Sequence, residues 1–271
     1  MVEYVIANAT VVPVRENPSE GAEQLTQLLF GEVCEVLDRL PRWTKIRSTM
    51  DGQEGWVDFK MVSLGDEAMK RLGDVAIVAS PLATATPMDG GADLLLTLGT
   101  RLPNYSHGTF EVLGQQYIID PTCINVYQRS GLTSNNEVVQ QRSDLTTIAQ
   151  SLLNAPYLWG GKNLMGMDCS GFTQVVYAAM GINLLRNARE QMTQGTLVPS
   201  LVDALPGDLA FFDHADRDPQ ATNISHVGLL LSPTEIIHCS GCVHIDTIDE
   251  DGIHLADGSL THHLVQINRY L

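Results

Sequence analysis

Hydrophobic and polar positions alternate in short runs over the first 130 residues, a β pattern. Tyr4 to Arg15 is apolar and β-branched, with Pro13 inside it. Gly31 to Leu37 alternates strictly, so one face is expected to be buried. Trp43 to Arg47 follows, then a turn signal at Asp51-Gly52, then Gly55 to Asp58. Between the first two runs, Leu25, Leu28 and Leu29 fall at helical spacing. Ser19 to Phe30 therefore reads as a short helix inserted in a β-domain. The order recurs weakly about 62 to 68 residues on, at Val75–Val78, Leu98–Leu102, Thr109–Leu113 and Gln115–Ile119. The recurrence predicts two small barrels of about 65 residues each.

Residues 128–143 are polar and read as a linker. The period then changes. Asp144 can cap a helix carrying Leu145, Ile148, Ala149 and Leu152 on one stripe, ending before Pro156. A second helix has Phe172, Val175, Val176 and Ala179 on one face and Gly181 as its stop. Strands are expected at Asp208–Asp213, His226–Leu231, Glu235–Cys239, Cys242–Ile248 and Leu264–Tyr270. Helices first and antiparallel strands afterwards make this half α+β.

Composition narrows the possible partners. The 271 residues are 44% apolar and 18% charged, with mean hydropathy near zero. That is globular rather than disordered. The net charge of -16 excludes an electrostatic footprint for nucleic acid or for an anionic membrane surface. No apolar run reaches the roughly 20 residues that span a bilayer, and the N-terminal residues lack the basic and apolar regions of a signal peptide. Cys34, Cys123, Cys169, Cys239 and Cys242 are odd in number and scattered, which favours thiols in a reducing compartment. A cytoplasmic location is the expectation.

Candidate chemistry centres on Cys169, at the start of the second predicted helix. The helix N-terminus favours a thiolate there, and the unpaired N–H groups of its first turn can hold an oxyanion. A thiolate needs a base. A hairpin centred on Ser232 would make His226 and His238 direct cross-strand neighbours. His226 is then the candidate base and His238 the residue that fixes its tautomer. A cysteine at a helix start is also often only a small buried residue, and spacing alone leaves both readings open. Cys239-Ser-Gly-Cys242 lacks a second ligand pair for zinc and is predicted in a hairpin turn rather than at the start of a thioredoxin-type helix. No metal or cofactor is expected.

Five ordered motifs over residues 144–271 resemble the NlpC-type cell-wall peptidases. They are Tyr157-Leu-Trp-Gly-Gly161, Asp168-Cys-Ser-Gly-Phe172, Leu205 to Phe212, Ser225-His-Val-Gly228 and Ile236-Ile-His-Cys239. The resemblance implies a papain-like α+β cysteine peptidase domain acting on peptidoglycan stem peptides. It carries Cys169 over as nucleophile, His226 as base, His238 as third residue and Tyr157 as oxyanion support. The front half is similar to the branch with two N-terminal bacterial Src-homology-3-like barrels, at 1–67 and 68–130. A linker at 131–143 and the peptidase at 144–271 complete the expected organisation. That branch comprises γ-D-glutamyl-L-diamino acid endopeptidases that take short peptides with a free N-terminal L-Ala. Glu23, Trp159, Asp168 and Ser170 match its substrate-binding positions.

Two departures bear on specificity. The branch has Arg-Asp-Ser where this chain has Arg186-Asn187-Ala188, so Asn187 and Ala188 occupy substrate-binding positions without a carboxylate or hydroxyl. Losing a charge-assisted bond to an ammonium costs roughly 1.5–3 kcal/mol unless compensated. Gln53 replaces an aromatic in the barrel's closing strand, and Glu190 or Glu54 are the candidate compensating carboxylates. The main alternatives are the same cleavage without amine selectivity, and a non-catalytic module that binds wall peptides. Acyl transfer by the same thiol is a further reading.

Overall fold

The computed structural model describes residues 2–65, 75–127, 135–214 and 223–271. The domain boundaries expected at 67/68 and 130/131 fall outside these residues. Seven antiparallel strands form the first unit: Tyr4–Ala7, Val11–Arg15, Gln24–Leu29, Val33–Arg39, Trp43–Ser48, Glu54–Asp58 and Val62–Gly65. Val5, Val12, Val14, Leu28, Cys34, Ile46 and Val57 fill its core.

The helix expected over Ser19–Phe30 is instead the strand Gln24–Leu29, paired with Val11–Arg15. Its last four residues, Thr26, Gln27, Leu28 and Leu29, are all buried. A strand enclosed on both faces has no polar alternation, so the leucine spacing imitates a helix.

The next unit has a four-stranded and a three-stranded sheet between Val75 and Tyr127. Its closing device repeats that of the first. Asp58 accepts from Lys60 N–H to cap the 3-10 turn Phe59–Met61, and Asp120 accepts from Thr122 N–H to cap Pro121–Cys123. In both units the strand after this turn pairs with the unit's first strand. Tyr4, Ile6, Phe30 and Val33 join Val78, Leu96, Phe110 and Ile119 in one apolar core, so the two units share an interior.

The C-terminal half packs helix α1 (Asn135–Gln150) and helix α2 (Cys169–Ala178) against a seven-stranded antiparallel sheet. A pairing of Gly252–His254 with Leu260–Arg269 curls this sheet, and Ala210, Phe212, Leu230, Ile236 and Ile253 fill its concave side. Helix α1 begins nine residues before the expected cap at Asp144, inside the expected linker. Its polar first half is held by Arg142, which is buried and donates to Asp208 Oδ1 at 3.1 Å, to Pro206 O at 2.9 Å and to the Leu271 carbonyl oxygen. Asp144 accepts from Gln140 one turn back rather than capping. Among the described residues, no helix is long and apolar enough to cross a membrane.

Helix α2 forms as its periodicity predicts. Asp168 is its N-cap, accepting from Gly171 N–H at 2.7 Å, and Gly181 terminates it at φ +77°.

Candidate active site

Cys169 opens helix α2 and lines a cleft of about 830 Å³ with His226, Tyr157, Trp159 and Asn187. Burial, reinforced by the Asp168 carboxylate, pushes its thiol up to about 12; the backbone N–H groups of Val227 and Ser170 and the Arg186 guanidinium oppose that rise. A thiol so enclosed ionises at neutral pH only by passing its proton to a neighbouring base.

His226 and His238 meet as predicted, but through a different register. His238 lies opposite Gly228, two residues from the expected partner, because Ser232 pairs with Glu235 and the hairpin turns at Pro233-Thr234 rather than at Ser232. A Cβ on Gly228 would fall 2.9 Å from the His238 Cβ and 2.6 Å from Ile236 Cδ1. The bare glycine leaves room for His226 to reach diagonally, and its Nε2 sits 2.8 Å from His238 Nδ1. His238 Nε2 in turn lies 3.1 Å from Asp246 Oδ2. An Nε2–H on His238 suits the carboxylate and leaves Nδ1 to accept from His226 Nε2–H. That chain presents His226 Nδ1 as the basic nitrogen. Burial lowers the His238 pKa, although Asp246 pulls it back. His262 stacks on His226 with centroids 4.4 Å apart.

Tyr157 is pushed up to about 12, chiefly by desolvation, so it keeps its hydroxyl proton and remains a donor at neutral pH. Asp168 and Ser170 line the cleft, but their polar atoms are engaged. Arg186 is almost wholly buried and donates to Asp168 Oδ2 at 2.6 Å, Asp168 Oδ1 at 3.0 Å and Ser170 Oγ at 2.9 Å. It also donates to Thr26 Oγ1 of the first unit at 2.7 Å. Gly160 N–H adds a further bond to Asp168 Oδ2.

The first unit meets the cleft at Trp159 without itself lining it. Glu23 accepts from Trp159 Nε1 at 2.7 Å, and Gln24 donates to the Trp159 carbonyl. Gly160 permits this approach: at φ +72°, an added Cβ would lie 2.4 Å from Gln24 O. Asn187 and Ala188 begin the short helix α3 (Ala188–Gln191) at the cleft edge. Glu190 also lines the cleft, with Oε2 accepting from the backbone and side-chain N–H groups of Asn187. Glu54 is engaged by Arg47 and Lys45 and is not part of the cleft lining, and neither is Gln53.

Sequence reasoning gave no role to Arg186, His244, Asp246 or His262. Alternation along Cys242–Ile248 was the available signal, since it puts His244 and Asp246 on one face. His244 pairs directly with His238, and Asp246 with Ile236. Burial pushes the Cys239 thiol up to about 12, and its Sγ–H donates to Met167 O. The CxxC therefore has one inert member.

A thiol at a helix N-terminus, an imidazole pair behind it and a curled antiparallel sheet define a cysteine hydrolase of papain-like fold. Residues 154–257 match the NlpC/P60 family and residues 10–63 match the bacterial SH3 domain. The chain thus carries an NlpC/P60 domain behind an N-terminal bacterial SH3 domain. A gamma-D-glutamyl-L-lysine dipeptidyl-peptidase of Bacillus cereus is 27% identical over 79% of this chain and 66% of its own length. Its counterpart in Bacillus subtilis is 28% identical over 79% of this chain and 71% of that protein. The chain spans about two thirds of the length of these relatives. The crystal structure of an NlpC/P60 family protein from Bacillus cereus superposes with a TM-score of 0.81 at 21% identity, covering 99% of both chains.

Proposed function

We propose that this chain hydrolyses the γ-D-Glu–L-diamino acid bond of peptidoglycan stem peptides, taken as short fragments with a free N-terminal L-Ala. The observation that carries the reading is a contact at the cleft edge: the first unit sets Glu23 against Trp159, which lines the cleft with Cys169. A domain packed at that edge suits a short peptide better than cross-linked polymer. The two Bacillus relatives are named gamma-D-glutamyl-L-lysine dipeptidyl-peptidases, which agrees with the bond.

In this reading Cys169 Sγ attacks the γ-carbonyl carbon while His226 takes the thiol proton. His238 holds the His226 ring and its tautomer. The N–H groups at the start of helix α2 and the Tyr157 hydroxyl stabilise the oxyanion. His226 then protonates the departing amine, leaving a thioester. A water molecule, deprotonated by His226, cleaves the thioester and releases L-Ala-D-Glu.

Glu23 and Glu190 accept the substrate ammonium, Glu190 standing in for the carboxylate absent at Asn187. Trp159 packs on the peptide, while Asp168 and Ser170 act through Arg186, which bonds Thr26, to hold the first unit in place. Residues 75–127 belong to a second Src-homology-3-like barrel that braces the first, on the strength of the repeated capped turn. The net charge and five free thiols favour recycling of wall fragments in the cytoplasm. A second reading drops the amine requirement, favoured by the amide and methyl at Asn187 and Ala188.

The test is incubation with L-Ala-γ-D-Glu-L-diamino acid tripeptide. Mass spectrometry should detect L-Ala-D-Glu from wild type and a loss of at least about 10⁴-fold in rate with Cys169→Ala. Equal traces contradict the reading.

A further inference from the structure

Behind the candidate relay, three ligand-type atoms converge. His238 Nε2 and His244 Nε2 each lie 3.1 Å from Asp246 Oδ2, and the three atoms fall within 4.8 Å of one another. Tetrahedral zinc with bonds of about 2.0–2.2 Å needs ligand atoms roughly 3.4 Å apart.

The proton count at His244 points the same way. Its Nδ1 lies 2.8 Å from the Cys242 carbonyl oxygen, which can only accept. Nδ1 therefore carries hydrogen, and neutral His244 turns an Nε2 lone pair toward a carboxylate. Either a second proton or a cation must sit between them. A ring N–H donated to a backbone carbonyl is also how metal-bound histidines are usually oriented. His244 and Asp246 are partly exposed, which leaves an entry path and a fourth position for water.

We propose that His238, His244 and Asp246 form a zinc-type divalent metal site that switches the catalytic relay off. Metal on His238 Nε2 displaces the hydrogen from that nitrogen. The neutral ring then carries it on Nδ1 and donates to His226 Nε2. His226 must accept there and hold its own hydrogen on Nδ1, the nitrogen that otherwise serves Cys169. Each ring keeps one hydrogen, moved from Nε2 to Nδ1, and His226 loses its capacity as base. The inhibitory consequence rests on the proposed peptidase reading; the binding does not.

Calorimetry with Zn²⁺ and absorption with Co²⁺ test the site on the full chain. Wild type and Cys169→Ala should each bind one ion, with no thiolate-to-cobalt charge-transfer band. His244→Gln and Asp246→Asn should each weaken binding by roughly 10- to 100-fold. Zn²⁺ should inhibit wild-type turnover reversibly, and His244→Gln should retain basal turnover while resisting inhibition. Three results overturn the proposal: no binding at metal concentrations on the order of millimolar, binding lost in Cys169→Ala but kept in His244→Gln, or bound metal that leaves turnover unchanged. A protein that binds metal as described but cleaves no peptide supports the site and refutes the peptidase reading instead.

Discussion

The two N-terminal units close in the same way, with an aspartate-capped 3-10 turn leading to a strand that pairs with the first, yet they meet the peptidase domain differently. Residues 4–65 send polar side chains into it. Thr26 accepts from Arg186, Gln27 accepts from Lys162 N–H and Asn163 Nδ2, Glu32 pairs with Lys162 at 2.8 Å, and Asp51 accepts from Gln174. Residues 75–127 reach it through Arg101 to Asn183, Asn125 to the Ala179 carbonyl, and Leu98, which is buried in the core around helix α2. Their main apolar contact is the core they share with the first unit. One scaffold thus does two jobs. An edge strand with buried polar side chains locks onto the neighbouring domain, whereas an apolar face makes a brace.

The largest expected effect comes from cutting the polar attachment. Arg186→Met leaves Asp168 buried without its cation, and removing one partner of such a pair costs about 3–5 kcal/mol. Thermal or denaturant unfolding should show the loss. A cost under about 1 kcal/mol would mean that Asp168 does not depend on this cation for its burial.

Acid and base titration sharpen the comparison within the first unit. Burial raises the pKa of Glu32 despite Lys162 beside it. Its folded-state pKa therefore lies above the ordinary value of 4.5, and its contribution to stability is present below that pH and lost as pH rises through the folded pKa. At Asp51, burial is outweighed by Lys162 and by hydrogen bonds from Gln53, Gln174 and Ser48, so the pKa is lowered. Its contribution is present above pH 3.8 and lost as pH falls through the folded pKa. In stability-versus-pH curves, Glu32→Gln should flatten the first limb and Asp51→Asn the second. Interchanged effects would reverse the assignment.

Arg101→Ala is the smallest perturbation. It removes a partly exposed contact of the bracing unit and should cost no more than about 1 kcal/mol, with turnover unchanged. A larger loss would make the second unit's polar contact as important as those of the first.

The site was legible where short-range pattern and function coincide. Asp168, the stripe of helix α2 and Gly181 give the helix that carries Cys169 without any tertiary knowledge. The histidines were read correctly as a pair, but the hairpin turns at Pro233-Thr234 rather than at Ser232, and their diagonal approach needs a bare Gly228, which a search for cross-strand partners does not weigh. Helix α1 was read short because its anchor, Arg142, bonds groups 64 and 129 positions away. The strand Gln24–Leu29 was misread because its second covering layer is the peptidase domain. Glu23 and Trp159 were reached only through family resemblance; no local pattern joins residues 136 apart.

The central claim is that the first unit selects the substrate. Its most direct test measures kcat/KM on the free tripeptide and its N-acetylated form, in wild type and Glu23→Gln. The account predicts that wild type prefers the free amine, and that Glu23→Gln lowers kcat/KM for the free peptide by roughly 10- to 100-fold, the worth of a charge-assisted bond, while leaving the capped peptide unaffected. Equal turnover of both peptides by wild type, or a preference that survives Glu23→Gln, would contradict it.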